Sequence, residues 1–394
     1  MTAIYLDNNA TTRTAPEVLE AMTPYLTEFY GNPSSMHTFG GQVRKKIEDA
    51  RGQVAALINA EAEEILFTSC GTESDNTALM SAVETFPGKK HLITTRVEHP
   101  AVLNFCHHLG RKGFRTTYLP VDALGQIDPV ALDKAIDADT AVVSIMFANN
   151  ETGVIFPVET IAPRLHEQGI LFHSDAVQAA GKIPLDVKKI PVNILTLSGH
   201  KLHAPKGIGA LYVKKGTRFH SYIIGGHQEH GRRAGTENVA SIVGFGKAAE
   251  LARTNLTEEI TSLGRLRDRL EQGLLNSCPH ARVNGDVVSR LPNTSNISFE
   301  YIEGEAILLR LNEYGICASS GSACTSGSLE PSHVLRAMGV PYTAVHGSIR
   351  FSLSRYNSDK DIDTVLEVMP GIVNELRELS PFGRDMLAGG KTHE

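Results

Sequence analysis

"EILFTSCGTESDNTALMSAVETF", residues 64–86, is the stretch of the sequence that decides the fold. Its first six residues are mainly apolar and are typical of a short buried strand, and residues 73–86 continue with helical spacing. Gly71 and Thr72 stand at the turn between them, where free N–H groups and the positive end of a helix dipole suit an anion such as phosphate. Such turns are common, so a purely structural role for this one stays open.

The same strand-and-helix unit repeats outward from this stretch through the first two hundred residues or so. The alternation is typical of a mainly parallel sheet with crossover helices. Further strands are predicted at residues 91–95, 141–148, 170–176, 194–199 and 209–215, and further helices at 101–113 and 158–169.

The pattern changes after about Asn238, where a long charged helix is predicted at residues 247–277. A strand, a helix, a second strand and a final helix follow it. Because 394 residues exceed what a single core usually supports, we predict two domains. The large domain is expected to contain residues 16–255, and a smaller α+β domain is expected to combine residues 1–15 with residues 256–394.

The composition is that of an ordinary globular protein, with 41% hydrophobic and 21% charged residues. A net charge of −6 argues against a nucleic-acid partner. No stretch approaches the roughly 18 apolar residues of a membrane helix. The beginning, "MTAIYLDNNATT", lacks the pattern of a secretory signal. We therefore expect a cytoplasmic protein with neither a membrane nor a nucleic-acid partner.

The five cysteines are Cys70, Cys106, Cys278, Cys317 and Cys324. Their spacing is poor for a metal site, and disulfides are rare in a reducing cytosol, so we expect no metal. Cys317 and Cys324 lie in "GICASSGSACTSGSLEPS", residues 315–332, which is rich in small residues. Such a loop suits a thiol that must move. We predict that Cys317 is a packed, inert thiol, although a second acceptor or a disulfide with Cys324 stays open.

Polar side chains follow several other predicted strands. Lys201 comes directly after one strand and has Ser198 and His200 beside it; a lysine amine kept partly neutral there can form a Schiff base. Asp175 follows another strand and could hold a proton on a heteroaromatic nitrogen. His99 and Asn150 stand at two more strand ends. Each of these residues is also compatible with a capping role, but together they are more polar than capping requires.

A set of motifs, in order along the chain, resembles the cysteine desulfurases, and most closely the NifS type associated with nitrogenase cluster assembly. The resemblance runs from residue 4 to about residue 380. The motifs that carry it are "YLDNNATT", "GNPSSMH", "TSCGTESDN", "VEHPAVL", "ANNETG", "HSDAVQAAGK", "SGHKLHAPKGIGALY", "RRAGTEN", "SSGSACTSGSLEPSHVLRAMG" and "IRFSLSRYN".

The resemblance implies a homodimer with the aminotransferase-like fold (fold type I), dependent on pyridoxal 5′-phosphate (PLP). It implies that Lys201 forms the covalent link to PLP, that Asp175 pairs with the ring nitrogen, that His99 stacks on the ring and that Gln178 reaches the ring hydroxyl. The residues implied at the phosphate are Gly71, Thr72, Ser198, His200 and, from the other subunit, Thr236.

The resemblance also implies the reaction. L-cysteine would be held by Asn150 and by Arg350, whose planar guanidinium suits a carboxylate. Lys201 would act as general base, with His99 as a further proton-transfer group, and Cys324 would take the sulfur as a persulfide while L-alanine leaves. The small domain would thus carry the nucleophile loop. The sulfur would pass to a NifU-like iron–sulfur scaffold protein.

Three rival hypotheses predict different features. Another enzyme of this fold, such as an aminotransferase or a selenocysteine lyase, would share Lys201, Asp175 and His99 but would not need Cys324. A redox or iron–sulfur protein would need clustered cysteines. A pure interaction protein would not need a complete set of PLP-binding residues.

Overall fold

The computed structural model of the chain describes residues 3–320 and 331–381, so Cys324 lies outside the described residues. The strands are β1 Ile4–Tyr5, β2 Ile65–Thr68, β3 His91–Thr95, β4 Arg115–Leu119, β5 Thr140–Ser144, β6 Leu171–Asp175, β7 Ile194–Ser198, β8 Gly209–Val213, β9 Ala281–Val283, β10 Thr294–Phe299, β11 Ile316–Cys317 and β12 Ser348–Ser352. The helices are α1 Pro16–Met22, α2 Pro24–Thr27, α3 Thr38–Leu57, α4 Gly71–Thr85, α5 Pro100–Gly110, α6 Pro129–Ala135, α7 Val158–Glu167, α8 Val239–Ser277, α9 Gly304–Glu313, α10 His333–Ala337, α11 Tyr342–Val345 and α12 Asp359–Leu379.

A seven-stranded sheet forms the centre of the larger part of the molecule, in the order β2-β8-β7-β6-β5-β3-β4. Strands β4, β3, β5, β6 and β7 run parallel to their neighbours, whereas β8 pairs antiparallel with both β7 and β2. The predicted α/β class with a mainly parallel sheet is therefore confirmed. The carboxyl ends of the parallel strands lie along one edge, which is where ligands bind in open α/β sheets.

A three-stranded antiparallel sheet, in the order β12-β10-β9, stands beside it. Apolar residues of β10 and β12 face their own helices, whereas the polar residues Thr294, Asn296 and Arg350 are buried on the alternate positions. This period-2 alternation means that the small sheet covers a core on one face and presents a polar surface on the other. That polar face includes Arg350, one of the predicted site residues.

The N-terminal arm joins the small sheet to the segment before Cys324. Strand β1 pairs in parallel with β11, so that Tyr5 lies opposite Cys317. The backbone N–H of Leu6 donates to the carbonyl of Cys317 at 2.8 Å, and Asn8 N donates to Ser352 O at 3.1 Å. Cys317 is half-buried in this pair of strands, in keeping with the expected packed thiol.

Helix α8 runs between two apolar clusters. Its early residues, such as Phe245, pack with the core of the large sheet, and its later residues, such as Leu270, pack with the core of the small sheet. The helix begins at Val239, earlier than the predicted residue 247, because Asn238 caps it by accepting from Ser241 N. The domain boundary near residue 255 stays a prediction. Across residues 3–320 and 331–381, none of the helices combines the length and the apolar character needed to cross a membrane.

Candidate active site

A cavity of about 410 Å³ lies at the carboxyl ends of the parallel strands. Its volume is in the usual range for small-molecule sites, roughly 300–1,000 Å³. The structure brings together at this cavity the predicted residues Gly71, Thr72, His99, Asn150, Asp175, Gln178, Ser198, His200, Lys201 and Arg350. Two predicted residues stand apart from this group: Thr236 is exposed away from the cavity, and Cys324 is outside the described residues.

One end of the cavity is formed by the first turn of helix α4. The N-cap residue, Cys70, makes no side-chain capping hydrogen bond to the described part of this helix, so the N–H groups of its first turn keep their capacity to bind an anion. Gly71 avoids a tight contact here, because a Cβ atom would lie 3.0 Å from Val177 Cγ2 and 3.4 Å from Ser198 Cβ. The buried hydroxyl of Ser198 has no hydrogen-bond partner within the described part of the chain. A helix N-terminus and an unpaired buried hydroxyl together fit a phosphate group.

Asp175 ends strand β6 at the middle of the cavity. Its Oδ1 accepts from Val177 N at 2.9 Å, and burial raises its pKa to about 6. A second carboxyl group, that of Asp75, is also buried and lines the cavity; burial and the charge of Asp175 raise its pKa well above the usual value. Two buried carboxyl groups at one site favour a bound cation, and a protonated ring nitrogen is such a group.

Lys201 follows strand β7 in a short 3₁₀ turn, Gly199–Lys201. Its Nζ donates to the backbone carbonyls of Asn9 and Ala10, each at 2.6 Å. These contacts hold the amine against the N-terminal arm. The placement fits an amine that forms a covalent link to a carbonyl compound bound in the cavity.

His99 caps helix α5 and lines the cavity with its ring. Its Nδ1 accepts from Ala101 N at 3.1 Å, so the neutral ring carries its proton on Nε2. Burial, followed by the charge of Lys201, lowers the pKa of His99 to about 4. His99 is therefore a neutral aromatic ring at neutral pH, which suits stacking on a flat ligand.

His200, on the phosphate side, has a similar environment. Burial and the charge of Lys201 lower its pKa to about 4. Its Nδ1 lies 3.1 Å from Thr11 Oγ1, which ties it to the N-terminal arm. A neutral imidazole at this position can donate a hydrogen bond to a phosphate oxygen without adding a charge.

Arg350 on strand β12 forms the far end of the cavity. Its Nη2 donates to Asp7 Oδ1 at 2.7 Å and its Nη1 donates to the carbonyl of Asn150 at 2.9 Å. Its buried Nε has no partner among the described residues. A guanidinium group has five N–H donors, so three remain after these two contacts. The side chain is thus held in place and still has donors for a carboxylate.

Asn9, which lies in the motif "YLDNNATT", is a central residue of the site. Its carbonyl accepts from Lys201 Nζ and from Gln178 Nε2, and its Nδ2 donates to Thr294 Oγ1 at 2.9 Å and to Asn150 O at 3.2 Å. Asn9 is 1% exposed. The structure therefore makes Asn9 the link between the predicted cofactor and substrate residues.

The residues of the cavity fit PLP in their chemistry. The helix N-terminus with the unpaired Ser198 hydroxyl suits the phosphate, Asp175 suits the ring nitrogen, and Lys201 suits the aldehyde carbon. A neutral His99 ring suits the face of the pyridine.

Comparison with known proteins agrees with this chemistry. A family model described as "Aminotransferase class-V" matches residues 4–365. The chain therefore belongs to the class-V aminotransferase family, and it is a PLP-dependent enzyme with the α/β fold of that family. The predicted fold type and the predicted cofactor are both confirmed.

Within the family, several similar proteins are named cysteine desulfurases. "Cysteine desulfurase" of Trichormus azollae is 64% identical over 385 residues, covering 98% of this chain and 96% of the relative. "Cysteine desulfurase NifS" of Azotobacter vinelandii is 57% identical over 383 residues, covering 97% of this chain and 95% of the relative. A solved structure titled "NIFS-LIKE PROTEIN" has a TM-score of 0.90 at 41% identity, covering 95% of this chain and 100% of the other. The predicted resemblance to the cysteine desulfurases is confirmed.

Proposed function

We propose that the protein converts L-cysteine to L-alanine and takes up the released sulfur as a persulfide on Cys324. One observation carries the proposal: the amine of Lys201, the carboxyl group of Asp175, the neutral ring of His99 and the guanidinium of Arg350 share one cavity. This set provides a covalent anchor, a charge partner for a pyridine ring, a stacking surface and a carboxylate clamp. L-cysteine is the substrate that the named relatives support.

The chain on both sides of Cys324 is held beside this cavity, which supports the choice of that thiol. Ser319 and Arg350 exchange two backbone hydrogen bonds, of 3.2 and 2.6 Å. On the other side, Ser332 Oγ donates to the carboxyl group of Glu151, and His333 Nε2 lies 3.0 Å from the carbonyl of Glu98. Cys324 is five residues from Ser319, so it can lie at most roughly 17 Å from it. That reach includes the cavity.

The role of each group in the proposed reaction follows from its position in the cavity. When bound, PLP acts as an electron sink for the carbon atoms next to the substrate's amino group. Arg350, with Asn150, binds the substrate carboxylate, and the Lys201 amine removes and returns protons at the substrate carbon. The Cys324 thiolate forms an S–S bond with the substrate sulfur. The substrate's carbon–sulfur bond breaks, the carbon takes up a proton, and alanine leaves.

The cofactor contacts follow the same proposal. Asp175 pairs with the ring nitrogen, His99 stacks on the ring and Gln178 donates to the ring hydroxyl. Gly71 and Thr72, at the N-terminus of α4, bind the phosphate together with Ser198 and His200.

Thr236 is assigned to the phosphate of the partner subunit in a homodimer. Its exposure in the single chain supports this assignment, as do several large apolar side chains that are exposed in the single chain. Tyr30 is 74% exposed, Met36 is fully exposed and Ile224 is 88% exposed. Aromatic residues and methionine are enriched in protein–protein interfaces. Sedimentation of the purified protein at micromolar concentration should therefore give the mass of two chains.

The most specific part of the proposal is the identity of the protein that receives the sulfur. The resemblance to the NifS type supports delivery in the cytoplasm to a NifU-like scaffold for nitrogenase iron–sulfur clusters. The test is to mix the persulfide form of the enzyme with a NifU-like scaffold or with a housekeeping scaffold protein. Faster transfer to the NifU-like scaffold is expected, and equal rates would point to a general role.

The experiment that tests the proposed activity is an assay of alanine formation from L-cysteine. Cys324→Ala should bind PLP and L-cysteine but form no persulfide and no sulfide under reducing conditions. Cys317→Ala is the matched control, because Cys317 is half-buried in strand β11, and it should keep most of the activity. The reverse outcome would show that Cys317 is the nucleophile. A Cys324→Ala enzyme that is inactive on L-cysteine but fully active on L-selenocysteine would favour a selenocysteine lyase.

A further inference from the structure

Lys182 is a charged residue beside the cavity to which the proposed chemistry gives no role. It follows Gly181, whose φ of +70° and whose close packing against Leu202 and Ala252 leave no room for a Cβ atom. The backbone at this turn is therefore fixed, and the position of Lys182 with it.

The amine of Lys182 contacts two side-chain amides of the site. Its Nζ donates to Gln178 Oε1 at 2.7 Å and to Asn9 Oδ1 at 3.0 Å. Throughout residues 3–320 and 331–381, no carboxylate forms an ion pair with it. Burial, and then the charges of Lys201 and Arg350, lower the pKa of Lys182 well below its usual value. Placing an amine here without a counter-ion is unfavourable, which calls for a functional reason.

The hydrogen bond from Lys182 fixes the orientation of the Gln178 amide. The Nε2 group of Gln178 donates to the backbone carbonyl of Asn9 at 3.0 Å, while its Oε1 accepts from Lys182. A backbone carbonyl only accepts and the lysine donates, so the amide has a single satisfied orientation. The one Nε2 hydrogen that remains is available at the cavity, which Gln178 lines.

We propose that Lys182 is a positioning residue: it holds the amides of Gln178 and Asn9 so that Gln178 presents a donor, and not an acceptor, to the cofactor's ring hydroxyl oxygen. The proposal rests on the proposed binding of PLP by Gln178. It also connects Lys182 to Lys201, because the carbonyl of the same Asn9 accepts from the Lys201 amine.

The test uses the PLP-loaded Lys182→Met enzyme, in which a side chain of similar length donates no hydrogen bond. The absorbance of the bound cofactor is followed from pH 6 to pH 10. Without Lys182 the Gln178 donor is no longer fixed, and the loss of this donor disfavours the ionised ring oxygen of the cofactor. The absorbance midpoint should therefore move upward, by about one pH unit. The kcat on L-cysteine should fall about tenfold with little change in KM.

Lys189→Met is the matched control because the Lys189 side chain is 83% exposed on the same connecting segment. Its absorbance midpoint should equal that of the wild type. A Lys182→Met enzyme with an unmoved midpoint would overturn the proposal, whether or not its thermal unfolding temperature falls.

A double-mutant cycle tests whether Lys182 acts on the cofactor through Gln178. If Lys182 acts through Gln178, the double variant Lys182→Met, Gln178→Leu should show the same midpoint as Gln178→Leu alone. Additive shifts would overturn the positioning role. These absorbance measurements need bound PLP but no turnover. A wild-type enzyme that binds PLP and releases no alanine would therefore refute the proposed activity and leave the Lys182 test intact.

Discussion

The two walls of the cavity differ in how their polar groups are satisfied. The strand-end wall, formed by Asp175, Ser198, His200 and Lys201, contains buried groups with shifted pKa values or an unpaired hydroxyl. The arm wall, formed by Asn9, Ala10 and Arg350, has most of its polar atoms paired with residues far away in the sequence. The difference teaches that the strand-end wall is prepared to contact a ligand, whereas the arm wall, apart from the remaining donors of Arg350, holds the contacting groups in position.

The largest expected effect comes from the strand-end wall. Lys201→Ala removes both the covalent anchor and the proposed general base, so alanine formation should fall by at least roughly 10²–10⁴-fold. Borohydride reduction of the wild type should place the cofactor label on Lys201, and the variant should carry no label. Lys206→Ala, at an exposed position in the same motif, is the control and should be labelled normally. A label on another lysine in the wild type would refute the assignment.

Asp175→Asn tests the charge on the same wall. Without the carboxylate, the cofactor ring loses its charge partner, and kcat should fall by roughly 10²-fold. In the wild-type apoprotein, the pKa of Asp175 is raised to about 6, so the ionised form is lost as the pH falls through 6. PLP affinity, measured by fluorescence titration between pH 5 and pH 8, should therefore decrease below pH 6 in the wild type. The Asn variant should lack this step, and an unchanged pH profile would contradict the role of Asp175.

Asn9→Ala tests the arm wall. The substitution removes side-chain contacts with Thr294, Asn293, Lys182 and the carbonyl of Asn150, and it should lower the unfolding free energy by about 3 kcal/mol. Because the Asn9 backbone still accepts from Lys201, the loss of kcat should be smaller than for Asp175→Asn, on the order of tenfold. Chemical denaturation and steady-state kinetics measure the two effects.

Asn9→Asp is the matched variant for this position. It keeps the acceptor for Lys182 and Asn293 but places an oxygen next to the carbonyl of Asn150. An intermediate loss of stability is expected. If Asn9→Ala were as stable as the wild type, the arm wall would not have the positioning role described above.

The smallest expected effect on the reaction concerns Glu98, the residue before His99 in the sequence, whose substitution changes the pH dependence of stability. Burial raises its pKa to about 8, so the folded protein holds a proton there that the unfolded chain releases near pH 4.5. Glu98 therefore lowers stability as the pH rises from about 4.5 to about 8. Glu98→Gln mimics the neutral acid, so its unfolding free energy should depend less steeply on pH, by up to about 1.4 kcal/mol per pH unit. Denaturant unfolding of the apoprotein at several pH values measures the slope, and equal slopes would show that Glu98 is ionised when folded.

The strand-end wall was predictable from the sequence because each of its residues lies at the end of an apolar strand or within three residues after it. Asp175 and Lys201 are found by that rule, and the family motifs supply their roles. The edge strand β4 was not predicted because "RTTYL" is mostly polar and only Leu119 is buried. The early start of α8 was missed because its cap, Asn238, stands outside the charged pattern that marked the helix.

The arm wall was not predictable in the same way. Asn9 forms hydrogen bonds with Thr294, which is 285 residues away in the sequence, and with Lys182, which is 173 residues away. No local spacing in the sequence therefore reveals these contacts. A buried asparagine and a turn asparagine look identical in a short sequence window. The position of Asn9 results from the pairing of β1 with β11, which is a long-range property of the fold.

The central claim is that the cavity delivers sulfur to Cys324, and peptide mass mapping after a single turnover with L-cysteine tests it most directly. The account predicts one additional sulfur atom on the peptide that contains Cys324, with one equivalent of alanine released per active site. Additional sulfur on Cys317 instead, or alanine release with every cysteine unmodified in the absence of reductant, would contradict it.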